Sequence, residues 1–280
     1  MLKSINYYSI LLILLIGNSP LLAQEEGAYN YMDEQEDTTR FFIGINFGAF
    51  FANNNTAGMY SGTPGATPYG IQTVFNRQEY QQIFNNYFQH PYTIEEYPND
   101  PKYNTAFEIG LHAGYRLGKR WSLFLDFNTV QLRYEQAFTV AINDPRNQQV
   151  GPTYQSIPIF GKESRIHVNL GVQYNFYTSN QSSAYISLFG NATDVEMKSN
   201  NFVVNNQQYE LFHYDFNLPS QRIGGVGFGG GTGLGYKFHL NEQILADLYY
   251  NLTYTEINLK AGFQEYGIQN GLGVRILWAK

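Results

Sequence analysis

The run Val226-Gly227-Phe228-Gly229-Gly230-Gly231-Thr232-Gly233-Leu234-Gly235-Tyr236-Lys237-Phe238 decides the fold. Val226, Phe228, Gly230, Thr232, Leu234, Tyr236 and Phe238 share one face. Gly225, Gly227, Gly229, Gly231, Gly233 and Gly235, followed by Lys237, share the other. A period of two is the signature of a strand. Glycine inside a strand costs backbone entropy and marks the close approach of other groups. A narrow barrel accounts for such a face, because inward side chains must share a small lumen. A bare wall leaves room there for bulky inward residues such as Tyr249, or for a small cavity. The spacing Gly225-x-Gly227-x-x-Gly230 also fits a dinucleotide-binding turn. That motif needs a following helix and an acidic residue about 20 positions on within a βαβ unit. Here the alternation simply continues.

The same period recurs on both sides of this strand. Arg40 to Ala52 sets Phe41, Ile43, Ile45, Phe47, Ala49 and Phe51 against Gly44, Asn46 and Gly48. From Thr105 to Leu117, Phe107, Ile109, Leu111, Ala113, Tyr115 and Leu117 point outward, and Glu108, Gly110, His112, Gly114 and Arg116 inward. A third strand starts at Trp121, with Asp126 and Asn128 inward, and continues past the membrane to about Ala141. Arg165 to Tyr177 is the fourth, with Arg165, His167, Asn169, Gly171, Gln173 and Asn175 inside. The alternation from Tyr185 to Met197 is less clean and leaves its facing open. Ile244 to Tyr254 places Asp247, Tyr249, Asn251 and Thr253 inside. Tyr266 to Trp278 places Gly271, Gly273 and Arg275 inside. The expected fold is all-β: an eight-stranded, antiparallel, up-and-down transmembrane barrel. Ten strands remain an alternative count. A water-soluble sandwich or lipocalin-like barrel would not turn its apolar face outward and its polar and glycine face inward.

Connections alternate in length. Residues 53–104, 143–164, 198–222 and 255–264 are long; 118–120, 178–183 and 239–243 are short. Outer-membrane barrels have long outer loops and short periplasmic turns, so both termini are expected in the periplasm. Aromatics gather beside the short turns at Phe41, Tyr115, Trp121, Phe176, Tyr185, Tyr236, Phe238 and Trp278, as an interfacial girdle requires.

Composition agrees. Of 280 residues only 14% are charged, while 24 Tyr, 21 Phe and 27 Gly are present. Mean hydropathy is −0.35, and past the first 25 residues no apolar run approaches the ~20 residues of a spanning helix. Residues 1–23 read as a signal peptide, with Lys3 in the basic region, Ile10 to Ile16 as the apolar core and Leu21-Leu22-Ala23 as the cleavage site. Residues 24–39 form a leader expected to be disordered, and it carries Glu25, Glu26, Asp33, Glu34, Glu36 and Asp37. Setting aside these six acids and Lys3 leaves 16 bases and 17 acids, so the barrel region (40–280) is nearly neutral. No basic face exists for nucleic acid. With no Cys, disulfides, thiolate metal sites and a lipid-modified N-terminus are excluded. No cofactor is expected.

On these strands and loops the chain resembles the small outer-membrane barrel families, such as OmpA-like, OmpX-like and PorT-like proteins. Gly273, Ile276 and Trp278 resemble the families' C-terminal assembly signal. The chain departs from it by ending in Ala279-Lys280 and by having Gly271 where a polar residue is common. The resemblance implies insertion by the barrel-assembly machinery into outer-membrane lipids.

The expected lumen holds Glu108, His112, Arg116, Asp126, Arg165, His167, Lys237, Asp247 and Arg275. Buried charges need partners, so these form a salt-bridge plug or line a gated narrow pore. Glu108, His112 and His167 could mimic a hydrolase or acyltransferase site, but no Ser-His-acid spacing is distinctive. Glu210, His213 and Asp215 lack helical metal-ligand spacing. Within 53–104, residues 53–70 read as coil. Asn76 with Glu79 reads as a capping box, and Tyr80, Ile83, Phe84, Tyr87 and Phe88 as a short helix near 77–88 ended by Pro91. That helix is expected as a lid on the barrel mouth or as a docking surface for a partner, as is the leader. The expected function is a non-enzymatic structural or interaction protein of the envelope; the alternative is a narrow solute channel.

Overall fold

The computed structural model describes residues 40–66, 70–146, 151–179, 181–211, 222–241, 243–259 and 263–279. The expected signal peptide and leader, together with His213 and Asp215, lie outside the described residues. Ten strands are present among the described residues: β1 (Phe41–Phe51), β2 (Tyr92–Glu96), β3 (Ala106–Arg116), β4 (Trp121–Ile142), β5 (Thr153–Thr178), β6 (Ser182–Val204), β7 (Gln207–Glu210), β8 (Val226–His239), β9 (Ile244–Asn258) and β10 (Gln264–Ala279). Between β1 and β2 lie a single 3-10 turn (Ala57–Tyr60) and the helices α1 (Ile71–Phe75) and α2 (Gln78–Phe88).

Eight of the strands close on themselves. Antiparallel pairing runs β1–β3–β4–β5–β6–β8–β9–β10, and β10 returns to β1, with Phe42 opposite Ala279 and Phe51 opposite Asn270. Closure removes the sheet edges, so every ring strand finds backbone partners on both sides. The outer face is an apolar belt: Phe107, Leu170, Leu188 and Phe228 are each 64–67% exposed. So continuous an apolar surface is stable only against lipid. It spans Phe107 to Leu117 on one side and Ile244 to Tyr254 on another. At ~3.3 Å per residue and a tilt near 40° that is a belt of about 25 Å. Aromatic pairs mark the short-turn rim, with Trp121 on Tyr174 at 4.8 Å and Tyr236 on Phe238 at 4.6 Å.

Three strands run far past the belt, and here the expected boundaries are corrected. β5 begins at Thr153 rather than Arg165, and β6 ends at Val204 rather than Met197, so the expected loops 143–164 and 198–222 give up residues 153–164 and 198–204 to sheet. Beyond Thr129 the outward residues of β4 turn polar, yet the inward ones (Leu132, Tyr134, Phe138 and Val140) stay apolar and buried. An apolar cap core therefore carries the strands onward after the lipid ends. β2 adds to the tall end of β4 and β7 to that of β6, giving a cap sheet β2–β4–β5–β6–β7. The β6–β7 hairpin turns at Asn205 and Asn206, whose φ values of 51° and 60° are those of a type I′ turn.

The first long connection is likewise more ordered than a coil with one helix. The 3-10 turn and α1 fall within and beside the expected coil, and β2 follows α2. α2 starts at Gln78 with Arg77 as N-cap and no side-chain cap, so Asn76 and Glu79 form no capping box. Glu79 pairs instead with Arg77 at 3.2 Å on the surface. Gln89, at φ 60°, ends the helix before Pro91 does.

β6 faces inward through Tyr185, Ser187, Phe189, Asn191 and Thr193, all buried. Its alternation looked uneven because Ala184, Gly190 and Ala192 occupy lipid-facing positions otherwise held by large groups.

Candidate functional site

The ring directs polar side chains from most of its strands into one lumen. Near the short-turn end, the Arg275 guanidinium donates to Asp126 Oδ2 at 3.0 Å and to Asp247 Oδ2 at 3.2 Å. It also donates to the Tyr185 hydroxyl at 3.0 Å and lies over the Tyr249 ring, 3.9 Å from its centroid. Tyr185 donates in turn to Asp247 at 2.9 Å. His112 Nδ1 donates to Asp126 Oδ1 at 2.5 Å, and Asn46 donates to the same oxygen at 3.3 Å. Lys237 donates to Gln173 Oε1 at 3.1 Å, between the rings of Phe42 and Tyr185, each 4.9 Å away. Two carboxylates thus share one guanidinium, with Lys237 beside them, at nearly complete burial, which such groups tolerate only when paired and hydrogen-bonded.

Above this cluster the chain of contacts continues. Asn46 donates to Asn128 Oδ1 at 2.8 Å, and Asn128 donates to Glu108 Oε1 at 2.9 Å. Beside Glu108 is a chamber of about 20 Å³ lined by polar side chains, among them Asn128, His167, Asn191 and Gln269. His167 Nδ1 bonds Thr193 Oγ1 at 2.9 Å, and its ring lies against Phe50. His112 is sandwiched between Phe42 and Phe124, so the two histidines belong to different layers.

Arg165 marks the level where the lumen meets the cap. Its Nε donates to Glu163 Oε1 at 2.5 Å and its Nη1 to Gln269 Oε1 at 2.7 Å. From above, the hydroxyls of Tyr60 and Tyr103 donate to Glu163 Oε2 at 2.8 and 2.7 Å. Burial, reinforced by the Glu163 carboxylate, holds both phenols well above their ordinary value. Above this latch the mouth is filled by one apolar cluster including Phe75, Phe84, Phe88, Phe138, Ile157, Phe202 and Tyr209. Phe75 stacks on Phe84 at 4.5 Å and on Phe202 at 5.5 Å; Phe84 meets Tyr209 at 4.8 Å.

The structure therefore joins His112, Asp126, Asp247 and Arg275 directly, sets Lys237 beside them, and links Glu108 through two asparagines. Arg165 and His167 stand in upper layers. Arg116 is half-buried at the short-turn rim, its backbone amide bonded to Arg40 O. Glu163, Gln269, Tyr60 and Tyr103 were missed by sequence reasoning, and Tyr185, expected in the interfacial girdle, faces the lumen instead. Glu163 was legible: it extends the inward series 163-165-167-169, had the strand been carried back past Ser164.

The glycine wall on β8 is covered by side chains other than the one expected. A methyl at Gly235 would stand 2.2 Å from the Tyr185 ring, one at Gly231 2.6 Å from Phe189, and one at Gly233 2.4 Å from Asn251. Tyr249 rests on Gly273 instead, where a methyl would meet its hydroxyl at 2.6 Å. Gly273 thus faces the lumen, while Ile276 and Trp278 pair outward with Ile45 and Ile43 of β1 at the seam.

The ring and its belt have the architecture of the small outer-membrane β-barrels. No protein-family model and no curated protein matches the chain. Solved structures similar to it include neisserial surface protein A, at 9% identity and TM-score 0.41, covering 86% of this chain and 97% of that one. The outer membrane protein OprG of Pseudomonas aeruginosa matches at 12% identity and TM-score 0.36, covering 86% and 93%. The outer membrane protein W of E. coli matches at 12% and 0.36, covering 86% and 98%.

Proposed function

We propose that this chain is a non-enzymatic barrel of the bacterial outer membrane, plugged by its charge network and presenting its cap outward as a rigid interaction surface. In this reading both termini are periplasmic, and the barrel-assembly machinery inserts the chain using Gly273, Ile276 and Trp278. The observation that carries it is the continuity of the filling. The Arg275 cluster, the Glu163 latch and the Phe75 cluster occupy successive levels of the same interior. The His112–Asp126 pair resembles half of a catalytic triad, but its flanks are Phe42 and Phe124 rather than a nucleophile. That surrounding supports a structural role.

A narrow channel is the second reading, favoured by the polar chamber beside Glu108. Planar-bilayer recording separates the two. The plugged barrel is expected to give no stable conductance steps. Discrete steps in the wild type, altered by Glu108→Gln or Asp126→Ala, overturn the plug. Partners of the cap or the acidic leader belong to the same proposal, and crosslinking from surface positions on α2 in intact cells tests them.

A further inference from the structure

Away from the lumen, the cap carries a second concavity. An open cleft of about 620 Å³ lies among α1, α2 and the start of β2. Its volume is within the roughly 300–1,000 Å³ of small-molecule sites. Four side-chain amides line it (Gln72, Asn76, Gln81 and Asn85), with Thr93 and the ring of Tyr92, and no lining residue is charged.

The amides are partly organised already. Gln72 Nε2 donates to Asn76 Oδ1 at 3.3 Å, Gln81 Nε2 to the Asn76 carbonyl at 3.3 Å, and the Tyr97 hydroxyl to Gln72 Oε1 at 3.5 Å. These contacts leave the Asn76 amide N–H groups, the Gln81 carbonyl and the whole Asn85 amide without partners among the described residues. Tyr92 is half-buried, wedged against Phe88 at 4.6 Å and Phe75 at 5.9 Å, so its ring is a fixed platform.

A side-chain amide offers a donor and an acceptor side by side, which matches a pair of neighbouring hydroxyls. An aromatic ring offers a flat apolar surface for the C–H face of a sugar. The lack of charge gives no advantage to anions or cations. We propose that this cleft binds a neutral oligosaccharide. An extended peptide adding to β2 fits less well: the strand follows Pro91, is short, and is broken by a register shift between Ile94 and Glu96. The inference does not depend on the plugged lumen.

The test uses the full chain in an amine-oxide detergent, which carries no sugar, on an array of neutral and anionic glycans. Retention of neutral glycans is expected. Asn85→Ala and Tyr92→Ala are each expected to weaken the best of them about tenfold, the loss of one good contact. Gln82→Ala, outside the cleft on the same helix, is expected to bind as the wild type does. Asn85 is exposed, so its variant stays informative even if Tyr92→Ala loosens the cap. Retention of no neutral glycan, or of anionic glycans alone, overturns the proposal. So does neutral-glycan binding indifferent to Asn85→Ala.

Discussion

Arg275 and Asp126 touch at 3.0 Å across the lumen although 149 residues separate them in the chain. The same guanidinium reaches Asp247, so one cation holds two buried carboxylates. Removing it leaves both uncompensated, a change that typically costs about 3–5 kcal/mol. Arg275→Met is expected to destabilise the barrel by that order in urea unfolding from lipid vesicles. Asp126→Asn keeps the shape and leaves Arg275 its other partner, so its cost is expected nearer 1–3 kcal/mol, roughly that of one impaired buried hydrogen bond. Equal losses would show that the Asp247 contact contributes little.

The glycines of the lumen are not equivalent. A methyl at Gly229 would sit 2.2 Å from the Tyr254 carbonyl oxygen, which is backbone and cannot step aside, whereas at Gly271 it would meet nothing within 4 Å. Gly229→Ala is expected to cost about 1–3 kcal/mol through overpacking. Gly271→Ala is expected to be neutral, or stabilising by about 0.4–1 kcal/mol through reduced unfolded-state entropy. Unfolding midpoints of the two variants, measured side by side, check the contrast.

Tyr60 and Tyr103 fasten the cap to Glu163 only while their phenols are protonated. Their folded values lie above the ordinary phenol value of about 10. Their contribution is therefore complete below pH ~10 and is lost as pH climbs through the raised folded values. Protease cleavage within residues 53–104 is expected to rise in that alkaline window. Tyr60→Phe is expected to cleave faster already at neutral pH, with the barrel still intact on gels. A cleavage rate flat from pH 8 to 11 would count against the latch.

Gln89 ends α2 at φ 60°, the left-handed region that favours glycine. Gln89→Gly is expected to stabilise the cap by up to about 1 kcal/mol. Hydrogen-exchange protection of α2 amides is the readout, and reduced protection would refute it.

How far the residues disclosed this molecule follows from what each signal depends on. Period-two alternation is local, so the ring strands and the inward facing of Asp126, Asp247 and Arg275 were legible. It failed where lipid no longer enforced it. On β5 beyond Ile166 the outward series becomes Ser164, Lys162, Phe160 and Pro158, which reads as loop although the inward series holds the cap. Within the lumen, His112–Asp126 and Arg275–Asp247 are cross-strand neighbours, but the Asp126–Arg275 contact was not legible, since β4 and β10 do not pair and only ring closure brings them face to face. The cleft amides gave no signal, because isolated Asn and Gln on a helix carry no spacing rule.

The tall wall of β4, β5 and β6 has one further consequence, for the order in which the molecule matures. Tyr60, α1 and α2 precede that wall in the chain, yet they fold onto its inner surface. During synthesis the lid segment is present before anything exists for it to close upon. Its aromatic face finds its packing partners only once the wall has formed. Sealing of the mouth is thus a late docking event rather than a by-product of strand pairing, and a barrel caught before it would lack its lid while keeping the charge cluster of its lumen.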